Sequence, residues 1–372
     1  MLQQQHGARW QARARLPRAR RLGATLEEME AQALSRLDRV AYRAQQYSFL
    51  LNATVIQETA RVLTRTPRAA LPGDVLATLR RRTEELYQRD LENVRTGMYP
   101  RELLFQIPAR HYMRALPRLL LDTPRIVRRK KRGEYKDIPP VDKGRFPAYY
   151  RRTFHWQTDG YFSEHSAEVY DLGVELLFRG TADVMRRQII PPVTRWMRET
   201  GVAPGHVRLL DLACGTGRTL CQLATAHPAI RYHGVDLSPY YVQAARKLLR
   251  DVAEVTLAVE NAEQLPYADA TFDVVTSVYL FHELPRNARR NVVAEAWRVL
   301  RPGGLLVIED SAQPAESPGL AVVLGNFSVE FHEPFYQDYL EDDLAALVAA
   351  QGFRVDAVEP HLVAKVVVAR KP

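Results

Sequence analysis

The sequence predicts an α/β protein: a doubly wound, seven-stranded, mostly parallel sheet closed by an antiparallel final hairpin and preceded by a mainly α-helical N-terminal region. Three observations predict it. The stretch Leu209–Thr219, LLDLACGTGRT, runs a short apolar strand into a glycine-rich turn and a helix start, with Gly215 and Gly217 removing side chains where the backbone bends toward a ligand. Beyond it, β-rich runs recur at the spacing of βαβ units. Before it, apolar residues recur at helical spacing.

Taken in order, residues 1–24 carry arginines at 9, 13, 15, 18, 20 and 21 and no acid, which reads as a basic flexible arm; serine and the apolar core of a secretory signal are both missing. Thr25-Leu-Glu-Glu28 is a capping box, opening a long helix to about Arg65 with Leu34, Leu37, Val40, Ala41, Ala44, Tyr47, Leu51 and Val55 expected toward the core. Pro72-Gly-Asp74 starts a second helix to about Arg95 through Val75, Leu79, Leu86 and Leu91, after which Pro100, Pro108, Pro117 and Pro124 are expected to break up the chain. Arg125 to Lys136 gathers seven cations, and Pro139-Pro140 marks a linker, so residues 25–140 form the helical region. Residues 141–200 form a lid or linker segment. It opens with the polar and aromatic passage Tyr149–His165 and continues into helices capped by Ser163 and Thr181, running to about Arg179 and Glu199.

Residues 201–372 carry the sheet. Its strands are expected at Leu209–Leu212, Tyr232–Asp236, Val255–Val259, Phe272–Val278 and Leu305–Glu309. A last helix over Leu340–Gln351 then leads to a hairpin of Phe353–Val358 and His361–Ala369, where Lys365 suggests one wet face.

Charge is split: residues 1–200 hold 37 Lys or Arg against 22 Asp or Glu, net +15, and residues 201–372 hold 15 against 21, net −6. The basic half therefore suits an anionic surface, either membrane or RNA, unless it only reflects an arginine-rich composition. Cys214 and Cys221, the only cysteines, stand at no metal-ligand spacing; no disulfide framework and no metal site is expected, and a reducing, cytoplasmic location follows. No apolar stretch is long enough to span a bilayer, leaving at most a peripheral membrane association.

The glycine turn also says which ligand to expect. A dinucleotide fingerprint would need a third glycine where Leu220 stands, and Asp211 at the strand end would repel a pyrophosphate but attract the ammonium of an amino acid. A ligand with adenosine at one end and a cationic amino acid at the other fits. Here the residues resemble motif I of the class I S-adenosylmethionine-dependent methyltransferases, with Asp211, Ala213, Gly215 and Gly217 in register and alanine at the first glycine position. The segment Glu260-Asn-Ala-Glu-Gln-Leu-Pro-Tyr267 and the element Arg301-Pro-Gly-Gly304 extend the likeness, most closely to small-molecule enzymes such as the quinone-biosynthesis C-methyltransferases.

The resemblance implies a Rossmann-like sheet domain and S-adenosylmethionine as cofactor. Asp236 would hold the ribose hydroxyls with Leu237 beside it, Asn261 and Ala262 the adenine edge, and Val278 the wall at the fourth strand's end. A removable acceptor proton would fall to His282 or Glu283, with His155 and His332 as second choices. Trp156, Asp159, Tyr161, Tyr279, Phe331 and His332 are expected around the acceptor, the first three on a lid that would also carry Phe162. The implied activity is methyl transfer to a small-molecule or lipid-like acceptor, quinone-like or phenolic, by in-line displacement. RNA methylation with the basic half as docking surface is the alternative, though Val278-Tyr-Leu-Phe-His282 replaces the Asn-Pro-Pro-Tyr motif of base-amino methyltransferases. A donor-binding assembly factor without turnover is a third reading. Oligomeric state is left open.

Overall fold

The structure, a computed structural model, describes residues 34–64, 71–252 and 254–372; the expected basic arm and the Thr25–Glu28 capping box lie outside the described residues. Helices α1 (Arg36–Thr64), α2 (Gly73–Arg95) and α3 (Ala109–Arg132) come first, then α4 (Glu164–Leu177), α5 (Ala182–Arg186) and α6 (Ile190–Thr200). The sheet half runs β1 (Arg208–Leu212), α7 (Arg218–Ala226), β2 (Arg231–Asp236), α8 (Pro239–Leu249), β3 (Val255–Val259), β4 (Phe272–Val278), α9 (Arg286–Val299) and β5 (Leu300–Ser311). It closes with α10 (Ala321–Phe331), α11 (Tyr336–Glu341), α12 (Leu344–Ala350), β6 (Arg354–His361) and β7 (Ala364–Arg370).

The strands form one sheet in the order β3-β2-β1-β4-β5-β7-β6, parallel except for β7, which runs antiparallel between β5 and β6. Strand residues alternate between two cores because successive side chains point to opposite faces. Leu209, Val274, Leu305 and Val307 pack with α6, α7 and α8 on one face, while Leu210, Val275, Leu306 and Ile308 meet α9 and α12 on the other. The N-terminal helices share the first of these cores, since Tyr42, Leu86, Leu91 and Val94 belong to the same buried cluster as Leu209. A buried ion pair fixes that junction: Arg187 donates through Nε and Nη2 to Asp90, each at 2.6 Å, and the Tyr42 and Tyr99 hydroxyls donate to the same carboxylate.

Several expectations are corrected. On α1 the stripe Leu37, Val40, Ala41, Ala44, Tyr47, Leu51 and Val55 faces solvent, Leu37 being 80% exposed. The helix docks instead through Tyr42, Gln46 and Ala53, with Phe49 so close to Gly180 (φ +87°) that a Cβ there would lie 2.5 Å from Phe49 Cβ. Pro117 and Pro124 do not interrupt α3, which runs through both because its Tyr112 and Ala115 face is buried with Leu172 of α4. The helix expected after Thr181 is split into α5 and α6, with Pro191-Pro192 in the first turn of α6, where a missing N–H is tolerated.

Strand β5 starts at Leu300 and absorbs the Arg301-Pro-Gly-Gly304 element. The last expected helix proves to be two, α11 and α12, preceded by the unforeseen α10. Lys365 is only 1% exposed, because β7 is an interior strand; its ammonium donates to Gln313 and lies 3.3 Å from Glu316.

Candidate functional site

A cleft of about 810 Å³, partly open to solvent, lies at the carboxyl ends of β1, β2, β3 and β4, where strand order reverses and parallel sheets leave a crevice. Its floor comes from the loops after these strands. Ala213 (φ +54°) and Gly215 (φ +55°) line it, held in the left-handed region by the turn. For an alanine that conformation costs roughly 1 kcal/mol, so the fold must impose it. The Gly215 N–H donates to Asp236 Oδ2 at 3.0 Å and the Ser238 N–H to Oδ1 at 2.8 Å, which fixes the carboxylate on the wall. Burial, opposed by these two amides, raises Asp236 to about 6, so it is predominantly ionised at neutral pH. Leu237, Asn261, Ala262 and Val278 complete this end, the Asn261 Oδ1 accepting from the Glu263 amide at 3.0 Å and thereby shaping its own turn.

Two motif residues sit elsewhere. Asp211, 1% exposed, faces its register partner Thr276 on β4, whose hydroxyl donates to it at 2.7 Å; it lies beneath the turn and not on the cleft wall. Burial, opposed by Thr276, raises it to about 7. Gly217 (φ +85°) packs α7 on α8, since a Cβ there would be 3.0 Å from Ala245 Cβ and Leu249 Cδ1. Its glycine serves helix contact.

The roof is the aromatic passage. Tyr149, Tyr150, Phe154 and Tyr161 line the cleft, with Tyr170 of α4 beside them. The Tyr149 hydroxyl donates to Glu263 Oε1 at 2.6 Å, tying the roof to the loop after β3, and Ser238 Oγ donates to the Tyr161 carbonyl at 2.6 Å. Phe162 is buried behind, edge-on to Phe146. Of the six residues expected around the acceptor, Tyr161 and Tyr279 line the cleft. The other four do not. Trp156 donates its indole N–H to the Glu330 carbonyl at 3.1 Å and stacks on His332, Phe331 packs on Phe327, and Asp159 accepts from the Phe162 amide in a turn. Left-handed backbone at His155, Trp156 and Asp159 (φ +52°, +57° and +64°) breaks the passage into tight turns, which aromatic density alone does not predict.

At the far end Glu283 is on the wall and His282 is not. His282 is buried with Nδ1 2.6 Å from Asp310 Oδ1; burial opposes its charge, but Asp310 prevails and raises it to about 9. The Tyr161 hydroxyl donates to Glu283 Oε1 at 2.6 Å, His155 Nε2 lies 3.2 Å from the same oxygen, and His155 Nδ1 lies 2.8 Å from Glu333 Oε1. Burial opposes the imidazolium, yet Glu333 and Glu283 together raise His155 to about 10. Glu333 was not anticipated from sequence: it sits between α10 and α11, and no motif flags it. The basic cluster is partly internal. Arg129 is buried, donating to the Trp156 carbonyl at 3.0 Å and the Thr158 hydroxyl at 3.2 Å, and so braces the roof. Cys214 and Cys221 are buried free thiols, their acidity suppressed by burial.

Residues 209–304 match the methyltransferase domain family. Among curated proteins the chain is similar to the O-methyltransferase rstn1 of Aspergillus nomiae NRRL, 34% identical over 170 residues that cover 43% of this chain and 72% of the relative. It is also similar to the uncharacterized methyltransferase sll0829 of Synechocystis sp., 29% identical over 45% of this chain and 75% of the relative. A third relative is the ubiquinone/menaquinone biosynthesis C-methyltransferase UbiE of Desulfotalea psychrophila, 33% identical over 39% of this chain and 61% of the relative.

Proposed function

Because this chain belongs to the class I S-adenosylmethionine-dependent methyltransferases, we propose that it methylates a small aromatic acceptor of the phenol or hydroquinone kind, which gives up a proton as the methyl group arrives. When bound, S-adenosylmethionine supplies a methyl group on a positively charged sulfur, open to in-line attack. The cleft residues suit that donor: Asp236 offers an ionised carboxylate to a vicinal diol, Leu237, Ala262 and Val278 offer apolar walls to a purine, and the Ala213–Gly215 turn closes the remaining end. The aromatic roof covers one side of the cleft and limits its contact with water, which favours transfer to the acceptor over side reactions.

The observation that carries the acceptor reading is Glu283, a carboxylate on the cleft wall beside the aromatic rings of Tyr161 and Tyr170. Oriented by the Tyr161 hydroxyl and backed by His155, it is placed to take the acceptor's proton. The relatives named as O-methyltransferase and quinone-pathway C-methyltransferase support an acceptor that loses a proton from oxygen or carbon.

Glu283→Gln is expected to lower kcat by about 100-fold or more while leaving S-adenosylhomocysteine affinity within twofold. The acceptor class is read by incubating the protein with methyl-labelled S-adenosylmethionine and a fractionated extract. Label in the small-molecule fraction supports the proposal; label confined to RNA or protein overturns it.

A further inference from the structure

Behind the wall of the cleft, three segments distant in sequence bring His155, Glu283 and Glu333 together. Each offers one nitrogen or oxygen within 4.8 Å of the other two, and among the described residues no other three His, Cys, Asp or Glu side chains converge in this way. They come from the roof, the turn after β4 and the turn between α10 and α11.

What sets this cluster apart from an ordinary ion pair is Glu333. It is 2% exposed, and no backbone amide or hydroxyl donates to either carboxylate oxygen; its one close partner is the His155 ring, with Nδ1 2.8 Å from Oε1. A buried carboxylate with a single imidazole for company is left short of the donors that water would supply. Asp310, equally buried, shows the contrast: it accepts the Phe281 and Ser311 amides, each at 2.7 Å. Glu333 has no such amides and is aimed at an imidazole and a second carboxylate. Two carboxylates and one imidazole in so small a volume are the donor set of a cation.

We propose that His155, Glu283 and Glu333 bind one divalent transition-metal cation at the methyl-transfer end of the cleft. One nitrogen and two carboxylates favour a borderline cation such as Mn²⁺, Fe²⁺ or Zn²⁺ over Ca²⁺ or Mg²⁺, which take oxygen donors alone, and the absence of a thiolate from the set disfavours Cu⁺. Two negative ligands balance the dipositive charge, and on binding the cation displaces to solvent the proton that His155 otherwise holds between the two carboxylates. The Tyr161 hydroxyl, donating to Glu283 Oε1, is the outer contact that orients a ligating carboxylate, and it leaves Oε2 for the ion. Three protein ligands leave coordination positions open, and because Glu283 lines the cleft, an open position faces the acceptor. The cation would therefore bind an acceptor oxygen, selecting phenols, enols or vicinal diols. That last step rests on the small-molecule reading above; the site itself does not.

The test uses the full-length, tag-free protein after treatment with a chelator. Titration calorimetry with MnCl₂ and, separately, ZnCl₂ is expected to give one site, weakened at least 100-fold in His155→Gln and in Glu333→Gln, while both variants bind S-adenosylhomocysteine as the wild type does. Electron spin echo spectra of the Mn²⁺-loaded wild type are expected to show one coordinated nitrogen. This measurement decides the matter should a variant fail to fold. No uptake of either ion at millimolar concentration, uptake indifferent to both substitutions, or bound Mn²⁺ without nitrogen coupling overturns the site. Metal binding with label entering only RNA or protein overturns the acceptor reading and leaves the site standing; small-molecule labelling without metal binding does the reverse.

Discussion

Asp211 and Asp236 end neighbouring strands, and only the second reaches the cleft. In the sequence each follows an apolar run, and both are expected at the ligand, Asp211 at its ammonium and Asp236 at its ribose hydroxyls. Which one meets solvent depends on where the following backbone turns, and here the Gly215 and Ser238 amides hold Asp236 at the wall while Thr276 holds Asp211 inside. Asp236→Asn is expected to raise the S-adenosylhomocysteine dissociation constant about 10- to 100-fold, the loss of a charge-assisted hydrogen bond, measured by calorimetry. Asp211→Asn is the control, and it should change that constant little.

His227 is buried against the Thr194 hydroxyl at 2.8 Å, and burial, helped by Arg198, lowers it to about 4. In the unfolded chain the imidazole takes a proton below about 6.5, whereas in the folded state it resists until about 4. Its contribution is therefore undiminished at neutral pH and is lost as pH falls from about 6.5 toward 4. Relative to His227→Gln, the wild type should lose roughly 3 kcal/mol of unfolding free energy between pH 7 and 4, read from denaturant titrations. Parallel stability curves for the two proteins would contradict this.

At the scale of elements, the roof is a run of aromatic residues, four of which, Tyr149, Tyr150, Phe154 and Tyr161, line the cleft. Tyr149 latches it through Glu263 on the far side of the cleft. Removing one hydroxyl in Tyr149→Phe should speed donor release by about 3- to 10-fold in stopped-flow, the equivalent of one hydrogen bond, with little change in melting temperature. An unaltered release rate would show that the roof closes without this latch. Helix α1 teaches the complementary point. It carries two apolar lines, and periodicity reports that such lines exist without saying which one docks. Tyr42 decides the matter, because its hydroxyl reaches the Asp90–Arg187 pair and draws that face inward. Helix α3 likewise keeps Pro117 and Pro124, since burial against α4 outweighs two lost backbone bonds.

For the molecule as a whole, the helical half and the sheet share one buried cluster, with Asp90 and Arg187 at the junction. Asp90→Ala leaves a buried guanidinium uncompensated and is expected to destabilise the protein by about 3–5 kcal/mol. Because the core is continuous, calorimetry of the wild type should show one cooperative transition, and a separate early melting of residues 36–132 would contradict the shared core. No helix among the described residues is long and apolar enough to cross a membrane.

Short-range pattern suffices for the sheet, the glycine turn and the family's cofactor. Strand identity is local: Val255–Val259 and Phe272–Val278 begin and end where their apolar runs do, and the glycine turn with Asp236 at the next strand end is a short-range pattern carried by backbone sterics and charge. Tertiary structure alone decided which polar groups share the methyl end. His282 and Glu283 are adjacent in the chain, yet one is turned to Asp310 and the other to the cleft. Glu333, 50 positions further on, arrives beside His155 only because α11 packs on the turn after β4 and brings the connection from α10 with it. Such meetings depend on packing between remote segments, and no spacing within the chain encodes them.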